Sequence, residues 1–468
     1  MVTIHKTKTE KAFDTAKRKA KKLNHMVLLS IVEEIENIDP LAFFHIGHSL
    51  YGGERFLWKD REDSTVIASL GVAYSLKSNR EHDCFSHVEK EWKRLTDEAV
   101  IYSAEKWEGT GPLLFGGFTF DPLNNKGEEW EDFSHGTFRL PKFMVTKVDE
   151  KCYFTINVVC SSQGEQNSLS SLEKEKQGIF GQLRKNITFR KPELHSSKDV
   201  NPVGWKQSVS NVVSQLKKGE MEKVVLARKC EMTFQEDVSI DYVVDNLWTQ
   251  QPDSFIFSLN IENSCFIGAT PERLVRKSGE NILSTCLAGS IARGSSLEED
   301  EKLGLSLLSD QKNRYEHHLV VEKIQEALAP YCHGIEMPET PKLMKMKDIQ
   351  HLYTPVIGKA SKHASLLEII ERMHPTPALG GVPREKAMET IRKEERMDRG
   401  FYAAPIGWLD SYGNGEFAVA IRSGLINKNY AYLYAGCGIV ADSEPESEFL
   451  ETEMKFRPMI RAIGGNTK

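Results

Sequence analysis

The spacing of apolar and polar positions changes several times along the chain, and each change marks an element. The first two dozen residues place apolar side chains among lysines at helical intervals, which predicts a basic amphipathic helix. "MVLLSIVEEIE" (26–36) then reads as a strand, and "AFFHIGHSLYGGERFLWKD" (42–60) as strand, turn and strand, with Gly52–Gly53 turning. "STVIASLGVAYSL" (64–76) alternates like a sheet strand, and 81–102 is apolar at helical spacing. "GPLLFGGFTFD" (111–121) and 138–160 read as antiparallel strands, and the polar stretch 161–177 as a linker. Beyond it come a helix, a break at Gly219, and the run Val224–Val225–Leu226, a short buried strand with Lys223 at its edge and Arg228 closing it. Residues 254–294 form a meander of strands, 309–332 a helix stopped near Pro330, and 401–443 a second meander turning at Asn414–Gly415 and 427–429. The span between "LAGSIARG" (287–294) and "HPTPALGGVPREKA" (374–387) reads as turn-rich apart from that helix, and 444–463 as a closing helix. No repeat is visible. Successive meanders with helices between them predict an α+β fold of large, mostly antiparallel β-sheets with helices packed outside.

Composition narrows the function. A chain of 468 residues, 40% hydrophobic and 27% charged, is long enough for a large core. A net charge of −6 without a strongly basic half gives nucleic-acid binding little support. No apolar run reaches the roughly 18–20 residues of a membrane span, and "MVLLSIV" is short and lacks a small-residue cleavage site, so it reads as part of the fold. The 8 cysteines form no CxxC pair and lie in apolar runs, which predicts reduced thiols in a cytoplasmic protein.

Local patterns carry the chemistry. In the closing helix, Ser443 and Glu446 fit a capping box, and Glu448, Glu451 and Lys455 fall on one stripe. Such a stripe is either a solvated Glu–Lys face or part of a site for one hard cation. "YAGCGIV" just upstream favours the site, because a glycine-rich strand end before a helix leaves backbone N–H groups for an anion. Glu316 in "NRYEHHLVVE" lies on a helix; zinc is a poor reading, since there is no HExxH and adjacent histidines point about 100° apart. Glu272 in "ATPERL" follows a proline turn, where a glutamate is ordinarily solvated or a cap. There is no P-loop, no GxGxxG after a strand and no GxSxG elbow.

Taken in order, "EKVVLAR", "GATPERL", "LAGSIARG", "NRYEHHLVVE", "IQHL", "HPTPALGG", "DRGFYAAPIGW", "AIRSG" and "AGCGIVADSEPESEFLET" resemble the chorismate-utilising family. That family comprises isochorismate and salicylate synthases and the large subunits of anthranilate and aminodeoxychorismate synthases. The resemblance covers residues 200–463, the chorismate-binding catalytic portion. Residues 1–177, a sheet and helix portion packed on the same fold, resemble the longer, menaquinone-type isochorismate synthases through "GGERFLWKD" and "ASLGVAYSL".

The resemblance implies a Mg²⁺-dependent enzyme of the anthranilate synthase component I-like fold. Glu316 and Glu451 match the metal ligands and Glu448 their water-mediated support; Asn313 stands where many relatives are acidic. Arg422 and Lys455 match the groups that hold the substrate carboxylates. Gly289, Gly436 and Gly438 match positions whose backbone meets the substrate, and His351 a histidine near the ring. Lys223 matches the general base for water and Glu272 the general acid, whose pKa burial would raise. Amine-using members lack a lysine at position 223, and aminodeoxychorismate synthases carry a lysine where this chain has Ala288. The expected activity is therefore isochorismate synthase on the small molecule chorismate, with no nucleic acid, no membrane and no glutamine amidotransferase subunit. Salicylate synthase, isochorismate formation for siderophore synthesis, and a non-catalytic subunit serving an amidotransferase are the competing readings.

Overall fold

The computed structural model describes residues 7–103, 105–161, 168–183 and 188–465. The N-terminal half runs α1 (Lys8–Leu23), β1 (Val27–Ile35), α2 (Pro40–Tyr51), β2 (Arg55–Lys59), β3 (Thr65–Ser78), α3 (Cys84–Asp97), β4 (Val100–Tyr102), β5 (Leu113–Phe118), β6 (Gly136–Val148), β7 (Lys151–Cys160) and α4 (Leu169–Gln182). Next come β8 (Leu194–Asp199), α5 (Pro202–Lys217), β9 (Lys223–Phe234), α6 (Ile240–Gln250), β10 (Phe255–Ile261), β11 (Ser264–Thr270), β12 (Arg273–Ser278) and β13 (Asn281–Ala292). Then follow α7 (Leu297–Ser309), α8 (Gln311–Leu328), β14 (Cys332–Glu336), β15 (Lys342–Lys345), β16 (Ile349–Ala360), α9 (Leu366–Met373), β17 (Gly381–Val382) and α10 (Arg384–Glu395). The chain closes with β18 (Pro405–Asp410), β19 (Gly415–Val419), β20 (Ser423–Asn427), β21 (Tyr430–Ile439) and α11 (Pro445–Ala462).

The strands join into one hydrogen-bonded network with two arms. One arm passes from β3 through β2, β10, β11, β20 and β21 to β9, which also meets β8 and β17. The other passes from β5 through β18, β19, β12 and β13 to β16. β6 pairs with both β3 and β5 and so joins the arms. Among the described residues every pairing is antiparallel except β1 with β4, in keeping with the expected α+β class. Alternation along the strands feeds two cores. One is shared by the arms and includes Trp58, Phe115, Leu226, Phe257 and Trp408. The other lies under α1, α2, α4, α6 and α11 and includes Phe13, Phe43, Leu172, Val243 and Met459. Among the described residues no helix is long and apolar enough to cross a membrane.

Three local expectations are corrected. Residues 40–51 are helical, not a strand. Asp39 accepts from the Leu41 amide, Pro40 opens the first turn and Gly52 ends the helix at φ 55°; its apolar residues face all sides, so no helical stripe was visible. Of the proposed linker, 162–167 lies outside the described residues, and 169–177 belongs to α4, which Ser168 caps. The span between 287 and 387 is not merely turn-rich: besides α8 it holds α7, α9, the start of α10 and the long strand β16.

One buried charge cluster ties α2, β2 and α6 together. The Arg55 guanidinium donates to both Asp241 oxygens, at 2.7 and 2.8 Å, and His45 sets its two ring nitrogens on Asp241 and Asp245, each at 2.7 Å. Burial disfavours a charged His45, but the carboxylates outweigh it and raise its pKa. Burial also opposes ionisation of Asp241, yet its bonds to His45 and Arg55 hold it down at about 2. Removing one partner of such a buried pair strands the other. Asp241→Asn should cost about 3–5 kcal/mol and lower the melting temperature by several degrees; an unchanged melt would show that the cluster does not stabilise the fold.

Candidate active site

β9 begins at Lys223, whose side chain lies across Gly438 of the neighbouring strand β21. A Cβ at Gly438 would stand 2.7 Å from Lys223 Cε and 3.2 Å from its Nζ, so the lysine occupies space that only glycine leaves. Gly436 and Gly438 are partly exposed while Cys437 between them is buried, so the two glycines share one face of β21. Across the site, Glu272 follows β11 and precedes β12. Thr270 Oγ1 donates to Val419 O at 2.6 Å, and the Val419 amide donates to Glu272 O at 2.9 Å, which pins the turn to β19. The next residue, Arg273, is anchored on Glu416 at 2.6 Å and Glu62 at 2.8 Å.

Arg422 sits in the bend between β19 and β20 at φ 52°, with its carbonyl accepting from the Ala269 amide at 3.0 Å. His351 on β16 is buried, and its Nδ1 and Ser290 Oγ are 2.7 Å apart. Ser290 follows the bulge in β13 that carries Gly289 at φ 78°, facing Asn313 of α8. Asn313 itself is engaged by the helix-capping Asp310, at 2.7 and 2.8 Å. On α11, Lys455 Nζ donates to Gly436 O at 2.8 Å and pairs with Glu451 at 2.7 Å, tying the helix to β21.

The electrostatics link these residues into one site. Burial raises Glu272 from 4.5 to about 7, against the opposing pull of Arg422, Lys223 and Lys455. Burial, helped by Arg422 and Lys455, lowers His351 to about 3 and keeps the ring neutral. Burial lowers Arg422 while Tyr402, Glu272, Glu451 and Asp348 partly restore it. Glu451 is lowered, first by Lys455, then by Arg422 and Lys223. Among the described residues, the Lys223 amine, the Glu272 carboxyl and the Arg422 guanidinium have no hydrogen-bonding or ion-pairing partner in the protein. Three strong polar groups without a protein partner, facing one partly buried place, suit a polar ligand.

The structure thus joins Lys223, Glu272, His351, Arg422, Glu451, Lys455 and the two β21 glycines. The metal set is less assembled. Among the described residues no three His, Cys, Asp or Glu side chains are close enough to hold an ion. Glu448 and Glu451 are neighbours: burial raises Glu448, and the charge of Glu451 raises it further. Glu316 on α8 is half-buried, and among the described residues its side chain makes no hydrogen bond or ion pair. Three carboxylates are the donor chemistry of a hard cation, so the set fits Mg²⁺ in kind, with Glu451 turned to Lys455 here. The predicted capping box is not formed. Glu444 is the N-cap without a side-chain bond, Ser443 Oγ accepts from Val440 N, and Glu446 pairs with Lys206 across to α5.

A cavity of about 30 Å³ beside His351 and Arg422 is lined also by Asp348, Met454 and Pro458. Larger clefts of about 320 and 510 Å³ flank α9 and α10, and none of the site residues lines them. The cleft of about 510 Å³ carries charged residues of its own, among them Glu371, Arg384 and Arg392, but neither Lys223 nor Glu272 lines it. Sequence reasoning missed Tyr402, a buried phenol stacked on Tyr434 with ring centroids 5.5 Å apart. Burial pushes it up to about 12, while nearby Arg399 and Arg422 pull it down. It lies in "DRGFYAAPIGW", where no single residue stood out. Ser290 was missed as well, because a lone strand serine carries no signal.

Residues 12–464 match the family model described as chorismate binding enzyme. The isochorismate synthase MenF of Bacillus subtilis is 42% identical over 475 residues, covering 100% of both chains. The salicylate biosynthesis isochorismate synthase of Pseudomonas aeruginosa is 36% identical, covering 97% of this chain and 94% of its own. Among solved structures, the menaquinone-specific isochorismate synthase MenF of Escherichia coli superposes with a TM-score of 0.76 at 22% identity, covering 97% of this chain and 99% of its own. Anthranilate synthase component I of Streptococcus pneumoniae superposes with a TM-score of 0.69 at 20% identity, covering 85% of this chain and 92% of its own. Those two structures show the shared fold.

A neutral, deeply buried His351 is a measurable property. Its ring resonances should not shift between about pH 5 and 8; a midpoint near the ordinary histidine value of about 6.5 would contradict the burial described here.

Proposed function

The chain belongs to the chorismate-binding enzymes, and on that premise we propose that it is an isochorismate synthase, adding water at ring C2 of chorismate and expelling the C4 hydroxyl. The observation that carries this reading is the convergence, on a buried carboxyl held near neutrality, of the Lys223 amine and the Arg422 guanidinium, neither of which has a hydrogen-bonding or ion-pairing partner among the described residues. Lys223 takes the proton of the attacking water. Glu272, protonated in a large fraction of molecules near neutral pH, gives its proton to the departing hydroxyl, which leaves as water. The double bonds shift as the new C–O bond forms and the old one breaks, so atoms and electrons balance. Arg422 and Lys455 receive the carboxylates, and the neutral His351 ring lies near the cyclohexadiene without adding charge. Glu316 and Glu451 would hold Mg²⁺, with Glu448 supporting it through water, and the ion would supply neutralisation of the ring carboxylate and of charge developing in the ring.

The full-length likeness to the Bacillus subtilis enzyme supports isochorismate formation, and the N-terminal segment "GGERFLWKD" supports a place in menaquinone synthesis. The eight cysteines are free and buried, which supports a reducing compartment, the cytoplasm. A lysine serving water leaves no role for a glutamine amidotransferase partner.

Purified protein incubated with chorismate and Mg²⁺ should accumulate isochorismate, and chelation should stop it. Salicylate and pyruvate as main products would make it a salicylate synthase. Anthranilate formed only with glutamine and an added partner would make it an amidotransferase-dependent subunit. Lys223→Ala should lower turnover about 100- to 10,000-fold with the melt unchanged, and near-normal turnover would remove the lysine from the mechanism.

A further inference from the structure

Deepening the reading of Lys223 as the base, we infer that Arg399 and Glu395 are positioning residues that replace a missing strand beside β9 and so fix where Lys223 stands. One edge of β9 pairs with β21 through register partners from Val224 to Thr233. Among the described residues the opposite edge has no strand along its middle. At its start the two-residue β17 pairs with Lys223 and Val224, and Glu222 N donates to Val382 O at 2.9 Å. One step on, Val225 N donates to Gly380 O at 2.8 Å. Beyond Cys230 the edge is covered by β8.

Side chains bridge the interval. Arg399 Nη2 donates to Val225 O at 2.9 Å, and its Nη1 donates to Leu379 O at 3.0 Å. Glu395 Oε1 accepts from the Ala227 amide at 2.7 Å, and the indole of Trp205 donates to Ala227 O at 3.0 Å. Arg399 and Glu395 also bind each other, Nε to Oε2 at 2.9 Å and Nη2 to Oε1, with side chains 2% and 1% exposed. The guanidinium lies 4.1 Å from the centroid of the Phe120 ring. A single buried pair therefore satisfies backbone groups on β9 that a neighbouring strand would otherwise meet. It also joins β9 to the 376–382 segment that backs the lysine. Here glycine is required: at Gly381, φ 145°, a Cβ would stand 2.2 Å from Lys223 O.

Arginine is needed because its planar fork reaches Val225 O, Leu379 O and Glu395 at once, whereas a lysine ammonium donates from one atom. A slip of β9 by a fraction of an ångström misplaces the Lys223 amine but leaves Arg422 and Lys455, on other elements, to bind substrate. The signature is a loss in kcat without a matching change in KM.

The test is steady-state kinetics on chorismate with a melting curve for each variant. Arg399→Lys keeps the buried charge and should fold; its kcat should fall at least about ten-fold while KM stays within about two-fold. Glu395→Asp, which withdraws the carboxylate from the Ala227 amide, should show the same split. Arg392→Lys is the control: it disturbs another arginine–carboxylate pair, with Asp121 at 2.6 and 3.1 Å, on the same helix as Glu395 but more exposed and away from β9, and should leave both constants unchanged. Unchanged kcat in both Arg399→Lys and Glu395→Asp would overturn the proposal, as would a rise in KM with kcat retained, or equal loss in Arg392→Lys. Wild-type protein assayed alongside separates the two readings: a wild type that forms no isochorismate sinks the function, whereas a normal wild type with normal variants sinks only the positioning role.

Discussion

The burial of Glu272 is the constraint on which the site depends. Three cations, Arg422, Lys223 and Lys455, act on this carboxyl, and in water each would hold it ionised. Desolvation wins, and the carboxyl sits near neutrality instead of at 4.5. The sheet achieves this by pinning the turn after β11 to β19 and by anchoring the neighbouring Arg273 on its own carboxylates, so that Glu272 is not neutralised by the adjacent guanidinium. An acid able to give up its proton is thereby kept beside an amine and a guanidinium that have no hydrogen-bonding or ion-pairing partner among the described residues.

The antiparallel network supplies the frame. Lys223, Gly436 and Gly438 stand on paired strands, Glu272 and Arg422 at strand ends, and His351 opposite Ser290 in the register of β13 with β16. These groups come from segments more than two hundred residues apart at the extremes, so the geometry depends on sheet register more than on any local turn. Lys455 on α11 then locks helix to sheet through Gly436, and its pairing with Glu451 couples the carboxylate face of the helix to the same pocket.

Much of this was legible in the sequence, for physical reasons. The β-branched run after Lys223 marks a buried strand, and period-two alternation marks the meanders that became β10–β13 and β18–β21. The ordered motifs brought together residues that no spacing rule could join. What stayed hidden depends on tertiary context. Helix α2 is apolar on every side, so periodicity could not separate it from a strand. Ser443 and Glu446 fit a capping pattern, but Glu446 finds Lys206 and Ser443 turns to the Val440 amide. Ser290, Tyr402 and Arg399 acquire their roles only when distant strands meet, and no local signal marks such residues. The carboxylates Glu316, Glu448 and Glu451 carry the right chemistry for a hard cation, yet Glu451 is turned to Lys455.

Titrating one carboxyl decides whether burial or the surrounding cations set the state of Glu272. Difference infrared spectroscopy across a pH series, with Glu272→Gln as the reference, isolates the protonated carboxyl band of residue 272. The structure predicts that this band persists through mildly acidic pH and is lost with a midpoint near pH 7. Loss at the ordinary value of about 4.5 would mean that the cations prevail over burial, and the acid on which the proposed chemistry rests would not exist.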